Sequence, residues 1–166
     1  MGRRYTNADE MLISAAQKIS VREHAGVFDK NGDPYYWHPL AVATLARNAG
    51  EDAEVVALCF LHDVVEDTDR TLDDIRLELE PIAAETGHNL DGIIDGLDAI
   101  THRKNEPRVK YWGRVRDHRY SRAAKQYDII HNTWPERLAR LEPEDKARKE
   151  SKYGDAQDFL GYARTV

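Results

Sequence analysis

A single cysteine, Cys59, occurs in the 166 residues, so no disulfide can close within the chain, and a reducing compartment is the simplest reading. No apolar run is long enough to span a bilayer, and the polar start carries no signal-peptide core, so a cytoplasmic protein with no membrane partner is expected. Met1 to Thr6 matches the loose myristoylation pattern, with Gly2 second and Thr6 sixth, but so short a motif carries little weight. Positive charge is in deficit: the formal net charge of −6 argues against a nucleic-acid partner. Alternating strand patterns are missing too, as are repeats, low-complexity segments and dividing linkers. These absences predict an all-α, single compact helical bundle over residues 1–166, with its core at about 8–163.

What is present is helical spacing. A first helix is expected at about 8–23, with Leu12, Ile13, Ala16 and Ile19 on one face. Turn chemistry at Asn31-Gly32-Asp33-Pro34 precedes a second helix, which starts near His38-Pro39 and stops at Gly50. A third, from about 52 to 66, is apolar on every side at Val55–Leu61 and should be the buried central helix. Thr71 and Asp74 resemble a capping box opening a short helix that Pro81 ends. Further helices are expected near 89–102, 108–131 and 143–163.

Charge is unevenly placed along this series. Residues 51–98 hold 15 acidic side chains against 2 basic ones, and residues 101–125 hold 9 basic against 2 acidic. Either these are two solvated faces that attract each other, or an acidic wall holds a cation while a basic wall grips phosphates.

The acidic region ends in a run with chemistry of its own, His62-Asp63-Val64-Val65-Glu66-Asp67-Thr68. In a continuous helix Glu66 lies four residues after His62, and Asp67 four after Asp63, on shared faces. Carboxylates crowded at the negative end of a helix dipole are costly unless a cation offsets them. Imidazole plus carboxylate suits a divalent ion such as manganese, iron or zinc. Two adjacent ligands are too few, and His38 and Asp128 are the best candidates to complete the set. Each taken alone is more simply a structural histidine and a solvated aspartate.

Taken together, these residues resemble the HD superfamily and, within it, the hydrolase domain of the RelA/SpoT type, including small stand-alone alarmone hydrolases. The carriers are Gly32–Ala43 with its Tyr35-Tyr36-Trp37-His38-Pro39, the Leu61–Thr68 run, Gly96–Thr101, and Lys125–Asn132. The resemblance implies one divalent metal, usually manganese, held by His38, His62, Asp63 and Asp128. It implies that Glu66 and Asp67 position and deprotonate water. It places Lys30, Asn132, Lys149 and Tyr153 against a nucleotide. The implied reaction is removal of the 3′-pyrophosphate from guanosine tetra- or pentaphosphate. Arg103, Lys104, Arg108 and Arg114 are unranked candidates for phosphate contacts. Three positions depart from the family pattern: Val27, Asp29 and Ile129 stand where the family has glutamine, arginine and arginine. The family arginine packs on guanine and Asp29 cannot, so base recognition is affected more than hydrolysis. Alternatives are hydrolysis of another phosphorylated nucleotide, or nucleotide binding without catalysis.

Overall fold

Thr6 and Asp9 cap each other reciprocally, the Thr6 amide donating to Asp9 Oδ2 at 2.7 Å and the Asp9 amide to Thr6 Oγ1 at 3.2 Å. This capping box opens α1 (Asn7–Glu23), and Thr71 with Asp74 repeats the device ahead of α5 (Leu72–Thr86). The computed structural model describes residues 3–166; Met1 and Gly2, and with them the myristoylation pattern, lie outside the described residues. The remaining helices are α2 (Trp37–Ala49), α3 (Ala53–Leu61), α4 (Val64–Asp67), α6 (Leu90–Ile100), α7 (Arg108–Asp117), α8 (Arg119–Asn132), α9 (Pro135–Leu138) and α10 (Pro143–Leu160). The all-α expectation holds. Among the described residues, the only extended pairing is one antiparallel bridge, Phe28 to Pro34, inside the α1–α2 loop.

The central helix is the one its composition predicts. All of α3 from Val55 to Leu61 is buried, and it packs against α1, α2, α6 and α8. Its neighbours supply Leu12, Ile19, Val42, Ile93 and Leu97 to a first apolar cluster. A second cluster joins α7, α8 and α10 through Tyr111, Trp112, Val115, Ile129, Tyr153 and Leu160. α8 contributes to both, Ala124 to the first and Ile129 to the second.

Three boundaries differ from the sequence reading, each for a local reason. The third helix ends at Leu61 rather than continuing to 66, and a turn at His62-Asp63 leads into α4. The His62 ring donates from Nδ1 to the Cys59 carbonyl at 2.7 Å, which a continuous helix would offer to the amide of residue 63. α5 runs through Pro81 to Thr86 and closes on Gly87 in the left-handed conformation. Pro81 and Leu77 are both exposed, so water can satisfy the carbonyl that proline leaves unpaired. The stretch 108–131 is two helices broken at His118, whose extended backbone and Nδ1, accepting from the Ser121 amide at 3.3 Å, start α8 afresh.

Candidate metal and nucleotide site

The site lies where those local breaks converge. α2 begins with His38 in its first turn, the turn after α3 supplies His62 and Asp63, and the middle of α8 supplies Asp128. His38 Nε2 lies 3.2 Å from His62 Nε2, 3.5 Å from Asp63 Oδ2 and 3.1 Å from Asp128 Oδ1. His62 Nε2 lies 3.0 Å from Asp63 Oδ2 and 3.6 Å from Asp128 Oδ1. Nitrogen and oxygen ligands about 2.0–2.2 Å from one ion, at angles near 90–110°, stand about 2.8–3.6 Å apart. The donor atoms of His38, His62 and Asp128 all lie within 4.8 Å of one another and fit a small divalent cation, and the three residues are buried; Asp63 Oδ2 stands beside the two histidines.

Surrounding groups fix the orientation of these donors. The His62 Nδ1 bond to Cys59 leaves Nε2 facing the cluster. His38 Nδ1 meets His131 Nδ1 at 2.7 Å, with the rings stacked at 4.9 Å. Burial, with His38 and Arg137 nearby, pushes His131 down to about 3. A neutral His131 can accept from His38 Nδ1–H and hold His38 in the tautomer whose Nε2 lone pair is free. Tyr35 donates to Asp63 Oδ2 at 2.7 Å. Lys125 donates to Asp128 Oδ2 at 2.7 Å and Asn132 to Asp128 Oδ1 at 2.6 Å. Burial disfavours charge on His62, but Asp63 and Asp128 override it and hold its ring well above the usual histidine range. Burial likewise disfavours a charged Asp128, and Lys125 together with His38 and His62 outweighs it and holds the carboxyl well below the usual carboxylate range. The two carboxylates therefore make the histidine cluster a place that favours positive charge.

A cavity of about 330 Å³ opens over this cluster. Glu66 and Asp67 line it beside the donors, and Glu66 Oε2 accepts from the His102 amide at 2.9 Å. Burial raises both carboxyls, and Asp63 adds in the same direction. Because the helix ends early, the two no longer share a regular i, i+4 face with His62 and Asp63; α4 brings them to the same cavity by another path.

Lys30, Asn132, Lys149 and Tyr153 all line the cavity. Lys30 is at its rim, mostly exposed and 3.3 Å from Asp145. Tyr153 is buried, and Lys149 Nζ approaches Asn132 Oδ1 at 3.5 Å. Burial and the nearby Arg137 lower the Lys149 ammonium. Of the four basic candidates in 101–125, only Arg108 reaches the cavity. Arg103 pairs with Asp98 at 2.8 Å, Lys104 is exposed away from it, and Arg114 binds Glu106 and the last carbonyls of α6. The sequence reading assigned no role to Tyr35, Lys125, His131, Arg137 or Lys152. Tyr35, Lys125 and His131 stand inside the motifs already singled out, whereas Arg137 and Lys152 carry no sequence signal. A wider groove of about 970 Å³, lined by Met11, Leu40, Phe60 and Ile82, holds no histidine and is not the candidate site.

Comparison with known proteins gives a matching context. A family model described as HD domain matches residues 16–129, a span that contains all four donors. The chain is 33% identical to a probable GTP pyrophosphokinase of Mycobacterium leprae over 148 residues, 87% of this chain and 18% of that protein. It is 37% identical to a probable guanosine-3′,5′-bis(diphosphate) 3′-pyrophosphohydrolase of Synechocystis over 100 residues, 60% of this chain and 12% of the other. It is 36% identical to a protein of the same activity name in Haemophilus influenzae over 77 residues, 46% and 10% of the two chains. The chain thus spans less than a fifth of the length of these relatives. With its adjacent His62 and Asp63 in the turn after α3 and a family match over most of its length, the chain belongs to the HD domain family.

Proposed function

We propose that the chain is a metal-dependent phosphohydrolase that removes the 3′-pyrophosphate from guanosine tetra- or pentaphosphate. The observation that carries this reading is the convergence of His38, His62 and Asp128, with Asp63 beside the histidines, and the Glu66–Asp67 pair in one cavity. The names of the Synechocystis and Haemophilus relatives support the substrate. In this reading His38, His62, Asp63 and Asp128 hold one divalent ion, manganese by preference. The ion supplies Lewis acidity and a nucleophile at neutral pH.

The chain's own residues then divide the work. Glu66 and Asp67, with carboxyls raised by burial, accept the proton that the attacking water gives up. Lys149, Lys152 and Arg108 face the cavity and offset charge on the phosphates. Asn132 orients Asp128 and meets the sugar side, while Lys30 and Tyr153 border the nucleotide. One water is consumed, the bond between the ribose 3′ oxygen and phosphorus breaks, and the tetraphosphate yields guanosine 5′-diphosphate and pyrophosphate. Because α8 belongs to both apolar clusters, we read residues 3–166 as one folding unit.

The test is incubation of the purified protein with manganese and a nucleotide panel, with products separated by chromatography. Pyrophosphate release from guanosine tetraphosphate is expected. Turnover of other nucleotides alone would replace the substrate, and binding without any turnover would remove the enzymatic reading.

A further inference from the structure

One wall of the cavity is built unlike the rest. Asp29, in the α1–α2 loop, receives the amides of Asn31 and Asp33 on Oδ1, at 2.8 and 3.0 Å. Its other oxygen, Oδ2, accepts from Arg137 Nη2 of α9 at 3.1 Å. Both side chains are nearly buried, with 15% of Arg137 and 11% of Asp29 exposed. Arg137 Nε is buried with no hydrogen-bond partner, and so is the neighbouring Asn31 Oδ1. All three residues line the cavity. Joining the loop to α9 does not require this pair, since Arg140 Nη2 already donates to the Asn31 carbonyl at 2.9 Å and Arg140 pairs with Asp33.

An ion pair with an unpaired donor and an unpaired acceptor beside it is a poor device for stability alone. It is a suitable surface for a planar, neutral, polar ring. The Asp29 carboxylate offsets the Arg137 charge, so the guanidinium is a weak phosphate ligand, yet its flat face remains suited to stacking. The cavity's cations without a carboxylate partner among the described residues, Arg108, Lys149 and Lys152, are better placed for phosphates.

We propose that Arg137, bracketed by Asp29, is a specificity-determining residue that packs its guanidinium plane against the purine base of the nucleotide. This deepens the reading above and rests on it for the substrate class.

The probes are guanosine 5′-diphosphate, cytidine 5′-diphosphate and inorganic pyrophosphate, titrated calorimetrically into the manganese-loaded full chain. The wild type should bind the guanosine nucleotide at least tenfold tighter than the cytidine one. Arg137→Ala and Arg137→Lys should each abolish that preference, with pyrophosphate affinity unchanged within twofold. Lysine keeps the charge opposite Asp29 and loses the plane, so restored guanosine affinity in Arg137→Lys would overturn the proposal. Equal losses for all three probes would overturn it by making Arg137 a phosphate ligand; unchanged guanosine affinity, or a wild type without base preference, would do the same. Asp29→Asn should tighten pyrophosphate binding several-fold by unmasking the guanidinium. Pyrophosphate release from guanosine tetraphosphate, measured separately, judges the proposed reaction. A wild type that discriminates bases through Arg137 but releases no pyrophosphate sinks the reaction alone; one that releases it with Arg137→Ala matching wild-type affinity sinks this inference alone.

Discussion

At the scale of single residues, the proposed reaction separates side chains that hold the ion from side chains that handle the proton. Glu66 touches no metal-type donor and sits on its own short helix, so its role can be removed without dismantling the cluster. Glu66→Gln should retain manganese binding while kcat falls by about 10²–10⁴-fold, the usual worth of a positioned general base. An unchanged kcat would take Glu66 out of the reaction. His131 is the converse case, since its 2.7 Å contact acts on His38 and not on substrate. His131→Ala should weaken manganese binding about 10–100-fold, as loss of a partner behind a ligating histidine typically does. Calorimetric titration with the ion reads this directly, and wild-type affinity would mean that the stacking at 4.9 Å is only packing. The motifs singled out His38, His62, Asp63, Asp128 and the Glu66–Asp67 pair, all of which line one cavity. His131 stood in the same motif, but only the fold reveals that its ring backs His38 across 93 residues of chain.

Between elements, close approach does the positioning. α8 must lie near enough to α3 for Asp128 to reach His62, and the contact with α6 helps to set its height. Ser121 donates to the Gly96 carbonyl at 2.6 Å, and the His118 ring packs on Gly96 itself. A Cβ at residue 96 would stand 3.0 Å from both the His118 ring and Leu58 Cδ2. Leu58 is fully buried and has little room to yield. Gly96→Ala should destabilise the fold by about 1–3 kcal/mol, the ordinary cost of overpacking, measured as a lower denaturant midpoint at unchanged slope. Full stability in that variant would show that α6 and α8 can separate without cost. The sequence pattern places helices on both sides of residue 118. It does not place the break, because a histidine cap is an uncommon signal and the packing of the His118 ring on Gly96 is not visible in the sequence.

Across the whole molecule, opposite charges that look segregated along the chain are paired in space: Arg103 of the basic stretch holds Asp98 of the acidic one at 2.8 Å, and Arg119 holds Asp52. Arg114 of the basic stretch is held by Glu106 at 2.6 Å and closes the end of α6 by donating to the Thr101 carbonyl at 2.8 Å. Arg114 lowers the Glu106 carboxyl from 4.5 to about 2. A carboxyl lowered on folding stabilises the native state above its unfolded value and loses that contribution as pH falls. The contribution is thus present above about pH 4.5 and disappears as pH falls towards about 2. Glu106→Gln should lower the melting temperature at pH 7, and the difference from wild type should vanish by about pH 2. A difference that persists at that pH would assign the effect to packing and not to charge.

Composition and spacing alone determined that the chain is helical and that Val55–Leu61 is the buried centre, and they marked the crowded run after it as a place for a cation. These follow from periodicity and from the cost of crowding carboxylates without a cation, both local in the chain. Tertiary structure decided the rest. It turned Arg114 from a candidate phosphate contact into a helix cap. It also set Asp29 opposite Arg137, 108 residues away, where neither residue alone signals a site. Pairings at such separations depend on how helices pack, and packing is the quantity that a linear pattern of side chains does not contain.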